Sequence, residues 1–155
     1  MQAKQIVVRE KIEQIMNNDH QAVMLQESIT ALNLKADGIY LDATYGRGGH
    51  SRAILAQLSQ SAKLLVMDKD PQAIQDAQKL AALDSRVTVF AGSFADLTLF
   101  CRQQQVLHKV DGILFDLGVS SPQLDQADRG FSFMRAGPLD MRMDPNSGVS
   151  VAQWL

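Results

Sequence analysis

The feature that most constrains the fold is the stretch Ile39-Tyr40-Leu41-Asp42-Ala43-Thr44-Tyr45-Gly46-Arg47-Gly48-Gly49-His50-Ser51. An apolar run ends in a carboxylate, passes through three glycines in four positions and opens an amphipathic segment. A strand, a tight turn and a helix N-terminus in that order form a cradle of the nucleotide-binding kind. Glycine lets the backbone approach a ligand closely and take φ > 0 where a side chain would clash. Asp42, at the strand's carboxyl end, is placed to accept from a hydroxyl or ammonium group of that ligand. The dinucleotide fingerprint G-x-G-x-x-G is not met, because Ser51 stands where its third glycine belongs. Glycine turns also serve as plain tight connections, so the rest of the chain has to decide.

The rest alternates. The expected strands are 39–43, Lys63–Asp68, Val87–Phe90 and Gly112–Asp116, each a near-continuous apolar run. Between them lie helical patterns at about 49–58, from Pro71 behind an Asp70 cap to about Leu83, and after Ser93 through Phe94, Leu97, Phe100 and Cys101. A further short helix, ending near Asn33, precedes the first strand. Apolar strands separated by helices predict a parallel sheet covered on both faces, a doubly wound α/β domain with right-handed crossovers. Residues 1–19 mix three basic and three acidic side chains without a clear cap and read as an extension to a domain over 20–155.

Composition narrows the class. A chain of 155 residues with 46% hydrophobic and 21% charged residues reads as one soluble globular domain. It has no apolar run long enough for a membrane span, and its N-terminus lacks a signal-peptide core. Cys101 is the one cysteine, which excludes a disulfide within the chain and suits a reducing cytoplasm. The net charge of −2 gives no bulk support for nucleic-acid binding, although a local basic patch would suffice. Neither His20, His50 nor His108 has metal-ligand spacing, so no metal is expected. No phosphate loop of the G-x-x-x-x-G-K-[ST] type occurs.

After Asp116 the rhythm stops. Leu117–Gly148 holds three of the four prolines and four of the ten glycines, with no sustained period, so it reads as a long loop. Phe131, Phe133, Met134, Leu139, Met141 and Met143 are too apolar for a solvated linker, and a folded loop covering the ligand is expected. Its Arg129, Arg135 and Arg142 could meet RNA phosphates, or pair with Asp125, Asp128, Asp140 and Asp144. An amphipathic helix then begins at Ser150 and is cut off at Trp154-Leu155, so the chain is expected to be the N-terminal part of a longer protein.

Asp68 ends the second strand about twenty residues past the glycine turn, where an acidic side chain takes both hydroxyls of a ribose. Asp116 ends the fourth strand on the same edge, and is otherwise a turn former before Gly118. Phe94 could lie flat on an adenine or belong to the core. His50 opens the first helix beside the glycines, as a ligand hydrogen-bonding group or a general base. A glycine turn that does not fit a diphosphate, with a ribose carboxylate and an aromatic for adenine, points to S-adenosylmethionine. The alternatives are a nicotinamide-dependent oxidoreductase and a non-catalytic cofactor- or RNA-binding fragment.

Longer motifs carry a resemblance. Asp42 through Ser51, Asp68-Lys69-Asp70-Pro71, Asp116-Leu117-Gly118-Val119-Ser120-Ser121-Pro122-Gln123, and Arg129-Gly130-Phe131-Ser132-Phe133 through Asp140-Met141-Arg142-Met143-Asp144 resemble the bacterial 16S ribosomal RNA (cytosine-N4)-methyltransferase family (ribosomal RNA small subunit methyltransferase H). The resemblance runs from about His20 to Leu155. It implies a Rossmann-like, cytoplasmic S-adenosylmethionine-dependent methyltransferase, acting on the exocyclic amine of a cytidine in the decoding region of 16S ribosomal RNA or of the small ribosomal subunit. It further implies that Gly48, Gly49 and His50 contact the cofactor, Asp68 takes its ribose, Phe94 and Asp116 hold the adenine end, and Gln123 closes the site. The Asp/Asn-Pro-Pro-aromatic box of other amino-methyltransferases is only loosely echoed by Ser120-Ser121-Pro122-Gln123. Asp116 is therefore a candidate catalytic group without an assigned role.

Overall fold

A computed structural model describes residues 22–155, and the extension expected over 1–19 lies outside the described residues. In chain order the elements are α1 (Leu25–Leu32), β1 (Ile39–Asp42), α2 (Gly49–Gln57), β2 (Lys63–Asp68), α3 (Pro71–Leu83) and β3 (Val87–Ala91). They are followed by α4 (Leu97–Gln103), β4 (Gly112–Leu114), α5 (Ser121–Asp125) and α6 (Val151–Trp154). The boundaries follow local chemistry. α1 stops at Asn33, which takes a left-handed conformation at φ 45°. α3 starts at Pro71, which has no amide hydrogen to lose, with the Asp70 carboxylate accepting from Gln72 N.

The four described strands form one parallel sheet in the order β3-β2-β1-β4. Leu41 lies opposite Leu65 on one side and Ile113 on the other. Because side chains alternate across a strand, each strand supplies both faces. Tyr40, Leu64 and Val66 pack with Ile54, Leu55 and Leu58 from α2 and its end, and with Ala73, Ala77 and Leu80 of α3. Leu41, Leu65 and Met67 pack with Phe100 and Cys101 of α4 and with Val106. Helices thus cover both faces, as expected of a doubly wound sheet. The strand order reverses between β1 and β4, which opens the crevice where ligands sit in such folds.

Three regions differ from expectation by more than a residue. β4 ends at Leu114, two residues before Asp116. Beyond it the Asp116 amide donates to Thr44 Oγ1 at 2.7 Å, so a side chain replaces the strand ladder there. The helix after β3 begins as a separate 3-10 turn (Phe94–Asp96), because Ser93 caps Ala95 N and holds the first turn tight. The loop 117–148 contains α5 and a second 3-10 turn (Ala127–Arg129). Ser120 and Gln123 close a capping box on α5, a pattern already written as Ser-x-x-Gln.

Candidate active site

The carboxyl ends of β1, β2 and β4 bring the expected site residues to one edge of the sheet. Between β1 and α2 the chain turns through Gly46 (φ 55°) and Gly48 (φ 70°). A Cβ on Gly48 would fall 2.5 Å from the Tyr45 ring, so this turn needs glycine for its own packing. Gly48 is also the N-cap of α2 and supplies no side chain, which leaves the helix's first turn without a side-chain cap and its partial positive charge facing the crevice. Tyr45 O–H donates to Asp76 Oδ2 at 2.7 Å, and Arg52 Nη2 meets the same oxygen at 2.8 Å. Burial and that bond push the Tyr45 phenol far above its ordinary pKa, so it stays neutral and ties the glycine turn to α3.

Asp68 is held from both sides. Its Oδ2 accepts from Gly46 N at 2.8 Å and its Oδ1 from Asp70 N at 2.9 Å. Each carboxylate oxygen keeps a further lone pair, and the side chain is only partly buried. The carboxylate is thus fixed between the glycine turn and the α3 cap with capacity to accept more.

Asp42 does not face the crevice, contrary to the sequence expectation. It is 1% exposed, and its oxygens accept from Thr44 N at 3.1 Å and Ser51 Oγ at 2.6 Å. Burial raises its pKa above the usual carboxylate value, opposed by those hydrogen bonds. Ser51, fully buried, is structural here, since its hydroxyl pins the first turn of α2 to the end of β1. A third glycine at that position could not do this.

His50 is 5% exposed, and its Nε2 is the buried side-chain polar atom left without a partner among the described residues. Its Nδ1 lies 3.8 Å from Asp116 Oδ2, too far for a direct hydrogen bond. Asp116 is about half exposed at the crevice mouth. Phe94 is also half exposed, so it is not a core residue, and its ring meets Phe115 edge-on with centroids 5.8 Å apart. Gln123 lies deeper than a closing residue would. It is 3% exposed, with Nε2 donating to Asp70 Oδ2 at 2.8 Å and Oε1 accepting from Ser120 N at 2.9 Å. Gly48, Gly49, His50, Asp68, Phe94 and Asp116 therefore come together at the carboxyl edge, while Gln123 is buried within the loop against Asp70.

The loop arginines also depart from the phosphate-binding expectation. Arg129 is buried and pairs with Asp70 at 2.8 Å, and Arg142 pairs with Asp140 at 2.7 Å. Arg135 donates to the Asp125 carbonyl. The ion-pair alternative accounts for Arg142, and the loop folds on itself through these contacts. Of the apolar residues expected to exclude water, Phe131 is buried while Phe133 and Met134 are almost wholly exposed. The Asp70–Arg129 pair had no signal in the sequence, because nothing periodic links residues so far apart.

Beside that pair a cavity of about 260 Å³ opens at the start of α3, lined in part by Gln72, Asp128, Asp140 and Asn146. Among the described residues no cluster of three His, Cys, Asp or Glu side chains is placed to hold a metal ion. None of the described helices is long and apolar enough to cross a membrane.

The described strands thus form a Rossmann-like parallel sheet whose carboxyl edge carries an uncapped helix turn and a fixed carboxylate at the end of β2. Residues 17–155 match the MraW methylase family, and the chain belongs to it. It is also similar to a solved candidate rRNA-methylase from Clostridium thermocellum, with 17% identity and a TM-score of 0.45 over 54% of this chain and 49% of that one. The chain thus spans about half the length of that protein.

Proposed function

We propose that the chain is the cofactor-binding part of a cytoplasmic S-adenosylmethionine-dependent methyltransferase that acts on the N4 amine of a cytidine in the decoding region of 16S ribosomal RNA, on the RNA or the small ribosomal subunit. The observation that carries the reading is Asp68, held by Gly46 N and Asp70 N beside the uncapped first turn of α2. Membership of a methylase family supports the reaction class. The cytidine and its position rest on the sequence resemblance.

The residues present fit this cofactor. Asp68 has lone pairs free for two ribose hydroxyls, Phe94 offers a half-exposed ring for an adenine, and His50 Nε2 lacks a protein partner among the described residues. In the proposal Gly48 and Gly49 present backbone, Asp116 holds the adenine end, and Gln123 acts by seating the loop. The sulfonium supplies an activated methyl group. The protein's share is to align the amine with it for in-line displacement and to exclude water. A cytosine amine is a weak nucleophile because its lone pair is delocalised into the ring. An acceptor for one N–H would return electron density to that nitrogen, and Asp116 is the candidate for that place as the alternative to its adenine role. The target base has to leave its stack to reach the crevice.

Ser51 weighs against the nicotinamide alternative, since its side chain fills the place of the third glycine and is bonded to Asp42. Calorimetric titration tests the choice, with S-adenosylhomocysteine expected to bind and NAD not. Binding of NAD alone would overturn the proposal. Labelled methyl transfer to ribosomal RNA, with the modified nucleotide mapped by mass spectrometry, then decides between an enzyme and a binding fragment.

A further inference from the structure

A guanidinium taken out of water has to find acceptors, and Arg129 finds them on two different parts of the chain. Its Nη2 donates to Asp70 Oδ2 at 2.8 Å, to Met143 O at 2.9 Å and to Arg142 O at 3.2 Å. Asp70 is equally buried: its Oδ1 caps α3 through Gln72 N, and its Oδ2 also takes the Gln123 amide. The loop closes around this point. Met141 N donates to Arg129 O at 3.1 Å, and a Cβ on Gly137 would fall 1.8 Å from Ala127 O, so 137–143 lies directly against the 3-10 turn. The Asp70 amide, in turn, holds Asp68 Oδ1.

We propose that Arg129 is a positioning residue for cofactor binding. It latches the loop 117–148 to the end of β2, so the loop's seat and the aim of Asp68 depend on one buried pair, although Arg129 itself touches no cofactor. This inference rests on the cofactor reading above. A purely structural ion pair supplies the contrast: Arg86 pairs with Asp84 at 2.6 Å, equally buried, before β3 at the opposite edge of the sheet.

The test compares Arg129→Ala, Arg129→Lys and Arg86→Lys in the whole protein, each well below its own melting temperature. S-adenosylhomocysteine affinity is read by calorimetry, and amide exchange across 137–143 is read without ligand. Arg129→Ala is expected to bind about tenfold more weakly and to exchange faster at 137–143. Arg129→Lys should recover part of the affinity, since an ammonium can meet Asp70 but not also both carbonyls. Arg86→Lys should lower the melting temperature and leave affinity unchanged. Parent-like affinity in Arg129→Ala, or an equal loss in Arg86→Lys, overturns the proposal. If Arg129→Ala does not fold, Arg129→Lys carries the same two readings, a weaker affinity and faster exchange supporting the latch and parent values overturning it. Should the parent itself not bind S-adenosylhomocysteine, the cofactor reading falls, and the exchange comparison alone decides the latch: unchanged protection sinks it.

Discussion

β2 and the loop 117–148 are both rich in large apolar residues, yet they meet water in opposite ways. Leu64, Leu65, Val66 and Met67 are all at most 1% exposed, whereas Leu117, Val119, Phe133, Met134, Leu139 and Met141 of the loop are exposed. The strand is held by burial, which is non-directional and roughly proportional to area. The loop is held by directed bonds: Arg129 and Gln123 on Asp70, Arg142 on Asp140, and a capping box at Ser120. Strand packing should tolerate exchanges of equal volume, while the loop should tolerate few changes at its buried polar residues and many elsewhere.

The largest effect should come from the strand. Leu65→Ala is expected to lose about 2–5 kcal/mol of stability in urea unfolding, and a loss below about 1 kcal/mol would erase the contrast. Next comes the seam between the regions. Asp68→Asn keeps the shape but removes the charge, so S-adenosylhomocysteine affinity should fall by roughly 2 kcal/mol in calorimetry. Parent-like binding would free Asp68 from its ribose role.

A smaller effect separates the regions by pH. Burial raises the folded pKa of Asp42, so its contribution is fully present below the unfolded value of 3.8 and lost as pH rises through the higher folded value. Asp140 behaves in reverse: the Arg142 guanidinium lowers it to about 2, so its contribution exists above the unfolded value and is lost as pH falls toward 2. Asp42→Asn should flatten the stability profile above pH 4, and Asp140→Asn the profile below it, as read by unfolding midpoints across pH. An unchanged profile in Asp42→Asn would contradict its raised pKa. The smallest effect belongs to the loop tip. Phe133→Ala should change stability by no more than about 0.5 kcal/mol, and a larger loss would mean the ring is packed.

Legibility followed the same division. β2 and α3 carry periodicity and caps in their own residues, and their bounds agree with those read from the sequence. The carboxyl-edge placement of Asp68 followed from its strand end, whereas Asp116 reaches that edge two residues beyond the end of β4, held by Thr44. The inward turn of Asp42 did not, because it depends on Ser51 nine positions away, across the glycine turn. The burial of Gln123 and Arg129 was equally hidden, since their partner Asp70 lies on another element. The cap of α5 is legible as Ser-x-x-Gln in its own residues.

The strand order has a consequence for how the chain assembles. β1 meets β2 through Leu41 and Leu65, but meets β4 through Leu41 and Ile113, a chain separation about threefold longer. Closing the longer loop costs about 1 kcal/mol more entropy, before β4's three residues return any contact. β4 is expected to join last, with φ-values near zero for Leu114→Ala and well above it for Leu65→Ala. A high value at Leu114 would reverse that order. On this path the crevice between β1 and β4 does not exist while the first three strands condense, and nascent chains pass through a sheet that has a core but nowhere to hold a ligand.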